Sequence, residues 1–221
     1  MRFFAKLKNR LFPYLFSAAH DAHARGWPVM RAMFVEFPDD PACRYLDRQY
    51  MLGPSLLVAP IFRQDNVAEY YLPEGKWTNL ISGKVIDGGR WQSEKLSFME
   101  MPVFVRQNTL LPMSSIDQQS QWKLKDELTL HLFNLADGAD LSLHLASSDG
   151  QGTSDIVCQR RGSKIKLSSD GNAPNIRLIC HGLRISRTLT NGKFISESSD
   201  GSIVAWSDTA KPITLSIEGD S

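Results

Sequence analysis

Residues 29–41 read VMRAMFVEFPDDP, and the assignment of this stretch decides the fold. Eight of its first ten residues are apolar, counting Pro38. So continuous a run over 29–37 predicts a strand covered on both faces, as in a parallel sheet wrapped by helices. Asp39 or Asp40 is placed to cap a second helix, with Pro41 in its first turn. That helix is expected to run through Tyr45, Leu46, Gln49 and Tyr50 and to stop near Gly53.

Upstream, Phe4, Leu7, Leu11, Leu15, Ala18 and Ala22 recur at the spacing of one helical face. Phe12, Phe16 and Ala19 form a second stripe beside it, so the buried face is wide. Pro13 lacks an N–H and should kink this helix or split it after Phe12. Gly26 should end it, and Trp27-Pro28 should begin an extended segment. The order helix, strand, helix is a slice of an α/β fold. One strand makes no sheet, and no later stretch repeats the alternation, so the strand's parallel neighbours are expected outside this polypeptide.

From Ser55 onward the texture changes. SLLVAPIF, AEYYLP, KWTNLI and MPVFVRQNTLLPM are short apolar runs separated by Gly, Asn and Asp, with a polar bend at Gln107-Asn108. Such runs predict an antiparallel sandwich or barrel. Residues 114–123, SSIDQQSQWK, read as a linker. A second all-β series follows: ELTLHLFNL, ADLSLHLAS, SDIVCQRR, SKIKLSS, NIRLICH, LRISRTLT, KFISES, SIVAWS and ITLSIEG. Ile165 and Leu167 alternate with Lys164 and Lys166, as a strand with one wet face should. Turns such as ADGAD, SDG, TNGK and SDGS punctuate the series.

The 221 residues suffice for one or two cores, and a net charge of +1 supplies no field for nucleic acid or an acidic membrane. Neither partner is expected. Cys43, Cys158 and Cys180 are too few and too scattered for a disulfide framework or a zinc site, which favours a reducing cytoplasm. The N-terminal segment loosely imitates a secretion signal. Lys6, Lys8, Arg10 and Pro13 interrupt it, and the apolar run 11–16 is too short for a span.

Few residues invite chemistry. Glu36 would lie at the carboxyl end of the predicted strand, the edge that holds active sites in (β/α)8 barrels, with Arg31 as a ligand clamp. An ion pair within the wall explains both more simply, since buried charges persist mainly by pairing. Asp39, Asp40 and Asp47 could join Glu36 as an acid–base pair, but Asp39 and Asp40 are better explained as helix caps. His20 and His23 stand three apart without a third ligand at motif distance, so no metal is expected. His131, His144 and His181 lie on separate strands and suggest nothing together. Trp77, Trp91, Trp122 and Trp206 could form a sugar-stacking platform, although packing is the favoured role for each.

The run LKNRLFPYLFSAAHDAHARGWPVMRAMFVEFPDDPACRYLDRQYMLGPSLLVAPIF resembles glycoside hydrolase family 31, the α-glucosidases and α-xylosidases. YYLPEGKWTNLISG and MPVFVRQNTLLPM look like segments of the domain that follows that family's barrel. FPDDPAC, LDRQYMLG, RQNTLLP and LHLFNLADG resemble the bacterial α-xylosidase branch. The resemblance implies a mainly β chain: an incomplete C-terminal slice of a (β/α)8 barrel over 1–52, then two antiparallel β-sandwich domains over 53–118 and 119–221. It implies a retaining hydrolase of terminal α-xylosidic or α-glucosidic bonds, without metal or cofactor. The family's two catalytic aspartates and its sugar-gripping residues map to no position here. No catalytic residue is therefore assigned, the substrate-binding residues stay unknown, and the isolated chain is expected to be inactive. The alternative is a carbohydrate-binding or structural β-sandwich module acting with a partner chain. Partners would be α-xyloside or α-glucoside oligosaccharides for the intact enzyme, with a homo-oligomer or the missing barrel portion also possible.

Overall fold

The computed structural model describes residues 2–97, 99–118, 121–124, 126–150, 152–187, 190–198 and 201–218. The chain divides into two compact units, one of residues 21–107 and one of residues 1–20 with 108–221. Each has a core of its own.

Two helices open the chain, α1 (Arg2–Arg10) and α2 (Phe12–Arg25). The break falls at Leu11, just before the position expected from Pro13. Pro13 then sits in the first turn of α2, where a missing N–H costs nothing because no intrahelical acceptor is available there. Gly26 ends α2 with φ 75°, its N–H donating to the Ala22 carbonyl at 3.0 Å.

The opening stretch departs from expectation. In place of a strand over 29–37 there are two strand residues, β1 (Met30–Arg31), and a single helical turn, α3 (Met33–Glu36). β1 pairs antiparallel with β2 (Tyr50–Leu52), not parallel with anything. Met30 is 64% exposed and Phe34 53% exposed, so neither is sheathed. The turn meets the backbone's hydrogen-bonding demand locally, through Val35 N–H to Ala32 and Phe37 N–H to Met33. It also brings Glu36 back onto Arg31, which an extended chain could not do.

The second helix is shorter than expected too, a 3-10 turn over Pro41–Tyr45. Asp40 caps it by accepting from Ala42 N–H at 3.0 Å, with Pro41 in the first turn as expected. Leu46 already has an extended backbone, and β2 follows where the helix should have ended.

The rest of this unit is β: β3 (Leu56–Val58), β4 (Val67–Leu72), β5 (Lys76–Asn79), β6 (Val85–Asp87), β7 (Arg90–Lys95) and β8 (Val103–Arg106). They form a six-stranded sheet in the order β1-β2-β3-β8-β5-β6 and a separate β4-β7 pair. Met33, Met51, Leu57, Tyr70, Leu72, Trp77 and Phe104 fill the core. Each such side chain contributes about 1.5–3 kcal/mol relative to exposure.

The other unit holds β9 (Thr109–Ser114), β10 (Leu128–Phe133), β11 (Asp140–Ala146), β12 (Thr153–Arg161), β13 (Lys164–Ser169), β14 (Ile176–His181), β15 (Lys193–Ser198), β16 (Gly201–Trp206) and β17 (Ile213–Ser216). A five-stranded sheet, β15-β16-β14-β10-β9, and a four-stranded sheet, β11-β12-β13-β17, contribute to one hydrophobic cluster. Leu130, Leu178 and Trp206 enter it from the first sheet, and Ile156, Leu167 and Leu215 from the second. Ile165 and Leu167 are buried while Lys164 and Lys166 are exposed, as their alternation requires.

Three expectations change here. β10 and β14 run parallel, so this unit is not purely antiparallel. The expected linker over 114–123 contains Trp122, which is wholly buried in the cluster, its backbone N–H donating to the Ser148 hydroxyl at 3.2 Å. Gln119 and Ser120 of that segment lie outside the described residues. LRISRTLT forms no strand among the described residues, only isolated bridges Ile185 to Ile217 and Thr190 to Thr214, with Thr188 and Leu189 outside them. Backbone pairing also crosses both expected domain boundaries: β2 joins β3 across residue 52, and β9 joins β10 across residue 118.

Candidate functional site

Arg31 and Glu36 form the ion pair that burial demanded, with side chains only 7% and 12% exposed. Arg31 Nε also donates to the Pro28 carbonyl at 2.8 Å, and its guanidinium lies 5.4 Å from the Trp27 ring centroid. The second carboxylate oxygen of Glu36 meets Arg106 at 3.3 Å. Two guanidiniums therefore bracket one carboxylate. That arrangement ties β1, α3 and β8 together, and removing one partner of such a buried pair typically costs about 3–5 kcal/mol. Each oxygen of Glu36 thereby faces a guanidinium, which favours a structural role over that of a base.

The aspartates do not assemble into an acid–base pair among the described residues. Asp40 spends one oxygen on the Ala42 cap and the other on the Tyr71 hydroxyl, at 3.0 Å each. Asp39 and Asp47 are exposed, and neither is hydrogen-bonded to Glu36. Cys43, beside Asp40, is buried, and burial with the nearby carboxylate pushes its thiol up to about 12, far from nucleophilic.

The tryptophans do not form a platform. Trp77, Trp122 and Trp206 are buried. The Trp77 indole donates to the Pro73 carbonyl at 2.8 Å, and the Trp206 indole to the Lys211 carbonyl at 2.9 Å. Trp91 alone of the four is exposed, at 60%. Its ring stands 5.8 Å from Tyr71 at the edge of a cleft of about 280 Å³ that also involves Tyr45, Asp47, Arg48 and Glu69. Within the sequence, Tyr45 carried only the signature of a helix position.

His131 and His181 are brought together, which their separate strands concealed. His131 Nδ1 and His181 Nε2 are 2.8 Å apart, and the Phe133 ring stacks on His181 at 4.0 Å with 4° between planes. Parallel pairing of β10 with β14 sets Phe133 opposite His181, and no local pattern announces a pairing between strands so distant in sequence. His131 Nε2 is buried with no hydrogen-bond partner. The tautomer with its proton on Nδ1, donated to His181, leaves no orphan donor there. Burial first, then His181 and Arg10, push the His131 imidazole down to about 3. His144 is hydrogen-bonded to Asp155 at 2.8 Å, with the His20 ring 5.0 Å away. Among the described residues no group of three or more His, Cys, Asp or Glu could hold a metal ion. Likewise no helix is long and apolar enough to cross a membrane.

Residues 26–111 match the glycosyl hydrolase family 31 C-terminal domain, and residues 123–218 match the C-terminal domain of the α-xylosidase YicI. The chain is 34% identical over 192 residues to the α-xylosidase XylQ of Lactiplantibacillus pentosus, covering 84% of this chain and 25% of that protein. It is 28% identical over 150 residues to α-glucosidase 2 of Bacillus thermoamyloliquefaciens, covering 67% of this chain and 19% of that protein. A family 31 dextranase of Flavobacterium johnsoniae, solved with isomaltotriose, shares the fold at a TM-score of 0.82 and 23% identity, over 97% of this chain and 32% of that one. The chain spans a quarter or less of the length of the curated relatives it matches.

Proposed function

From the premise that this chain belongs to glycosyl hydrolase family 31, as a C-terminal portion close to the α-xylosidases, we propose that it is the structural end of a retaining enzyme that removes terminal α-xylosyl or α-glucosyl residues. The observation that carries the reading is the succession of two family matches, supported by α-xylosidase similarity along 84% of the chain. Retention needs two carboxyl groups about 5 Å apart across the scissile bond. Glu36 is held between Arg31 and Arg106, and Asp40 between a cap and Tyr71, so these residues supply no such pair.

In this reading the catalytic carboxylates belong to a barrel whose bulk lies outside residues 2–218. Residues 1–52 contribute its final elements, with β1 and β2 edging the sheet of the domain that follows, and residues 53–118 and 119–221 supply most of two β domains that brace it, with β9 joining the sheet of the second. Chemistry proceeds without metal or cofactor, on oligosaccharides, in a reducing compartment. The buried, free Cys43, Cys158 and Cys180 are compatible with that setting. The exposed apolar residues Trp27, Met30 and Phe34 support a protein neighbour for the first segment.

The test is hydrolysis of an aryl α-xyloside. Pure chain should release no phenol above the uncatalysed rate, and co-expression with a family 31 chain that carries the barrel should restore turnover. Hydrolysis by the pure chain that Glu36→Gln abolishes would overturn the proposal.

A further inference from the structure

We propose that the cleft between Tyr45 and Trp91 is an oligosaccharide-binding site. The two rings are the reason to look there. Tyr45 is 91% exposed and Trp91 60% exposed, each leaving a large apolar face in water. A pyranose ring offers a matching surface, with an apolar C–H face to stack on an aromatic ring and hydroxyls around its rim.

The floor of the cleft is fixed. Gln49, 5% exposed, uses both ends of its amide on the Tyr71 backbone: Nε2 donates to the carbonyl at 2.8 Å, and Oε1 accepts from the N–H at 2.7 Å. The Tyr71 hydroxyl donates to Asp40, and its ring supports Trp91 from the neighbouring strand. Trp91 is therefore held before any ligand arrives, which removes part of the entropic cost of binding.

The rim supplies the polar half. Asp47 and Arg48 are exposed, and no hydrogen bond or ion pair engages either side chain among the described residues. Glu69 adds a second carboxylate, lightly held by Arg63 at 3.3 Å. A carboxylate and a guanidinium side by side can grip adjacent hydroxyls, one accepting and the other donating. At about 280 Å³ the cleft is near the lower end of ligand pockets, the size for a short saccharide and not a long groove. Three charged side chains around so small an opening disfavour a protein partner, whose buried contacts are depleted of charge.

The proposal rests on the family reading only for its probes, isoprimeverose and isomaltotriose. Each is titrated into the full chain while the indole N–H resonances are followed by NMR. The Trp91 resonance should shift saturably, with a dissociation constant on the order of millimolar. Trp91→Ala and Arg48→Ala should each weaken binding about tenfold or more, read from backbone shifts around Gln49. Trp27→Ala, also exposed but outside the cleft, should leave it unchanged. Absence of saturation with both probes, or an affinity in Trp91→Ala and Arg48→Ala equal to that of the unsubstituted chain, would overturn the proposal. So would a rise in molecular mass that Trp91→Ala abolishes with no sugar response, which would assign the cleft to a protein. Binding is read without turnover, so its failure and failure of the hydrolase reading are separate results.

Discussion

A single imidazole illustrates how burial converts to pH dependence. An ordinary histidine titrates near 6.5, whereas His131 is held down to about 3. The unfolded chain therefore binds a proton at this residue, between those two values, that the folded chain refuses. Stability must rise with pH across that window and fall as pH drops from 6.5 towards 3. The slope from this one group approaches about 1.4 kcal/mol per pH unit once the unfolded residue is fully charged. Urea unfolding between pH 6.5 and 5, where most carboxylates remain ionised, isolates the effect. His131→Phe should flatten the profile there, since Phe133 and His181 already form an aromatic stack that accepts another ring. An unchanged slope in that variant would refute the assignment. Nothing in LTLHLF or IRLICH foretold this behaviour, because it arises only once the two strands lie side by side.

At the scale of elements, alternation predicted the strands but not always a wet face. KIKLSS became β13 with the inward and outward residues that its pattern requires, whereas in β10 Leu128, Leu130 and Leu132 and the alternating Thr129, His131 and Phe133 are all buried, because both faces of that strand are covered. Continuous apolarity was the unreliable signal. VMRAMFVEF resembles a doubly buried strand by composition, but its backbone groups find partners in a helical turn and a two-residue antiparallel pairing. Turn residues carry their own constraint, and Gly88, between β6 and β7, shows it. A Cβ there would lie 1.9 Å from the Pro73 carbonyl oxygen and 3.0 Å from the Trp77 indole nitrogen. That carbonyl is the acceptor for Trp77, so Gly88→Ala must displace backbone or break the hydrogen bond of a fully buried ring. The expected cost is about 2–4 kcal/mol, seen as a lower unfolding midpoint with tryptophan emission shifted to the red. Gly89→Ala separates crowding from conformational strain: its Cβ would meet nothing within 4 Å, but its φ of 74° disfavours a side chain. It should cost only about 1 kcal/mol. Equal effects of the two would show that the Pro73 contact is not the cause.

For the whole molecule, the mainly β character and the family were legible because they rest on many short, repeated signals. The candidate sites were not, because each depends on which strands become neighbours. What composition does foretell is behaviour in solution. A net charge of +1 and a pI of about 7.7 leave little repulsion between copies at neutral pH. Eight of the eleven large exposed apolar residues fall within residues 21–107, among them Trp27, Met30, Phe34 and Tyr45. β1 also terminates its sheet, so its outer backbone edge is open to pairing. Weak attraction and weak repulsion together predict reversible association of the chain when no partner covers these groups. Light scattering after size exclusion should show a mass above 24.8 kDa that rises with concentration at pH 7.7. Met30→Lys and Phe34→Lys add charge at exposed apolar positions without touching the Arg31–Glu36 pair, and should return the mass towards the monomer. A constant monomer mass at high concentration would sink the argument. Association that persists in both variants would move its cause to exposed residues elsewhere, such as Ile195 on β15, the edge of the five-stranded sheet.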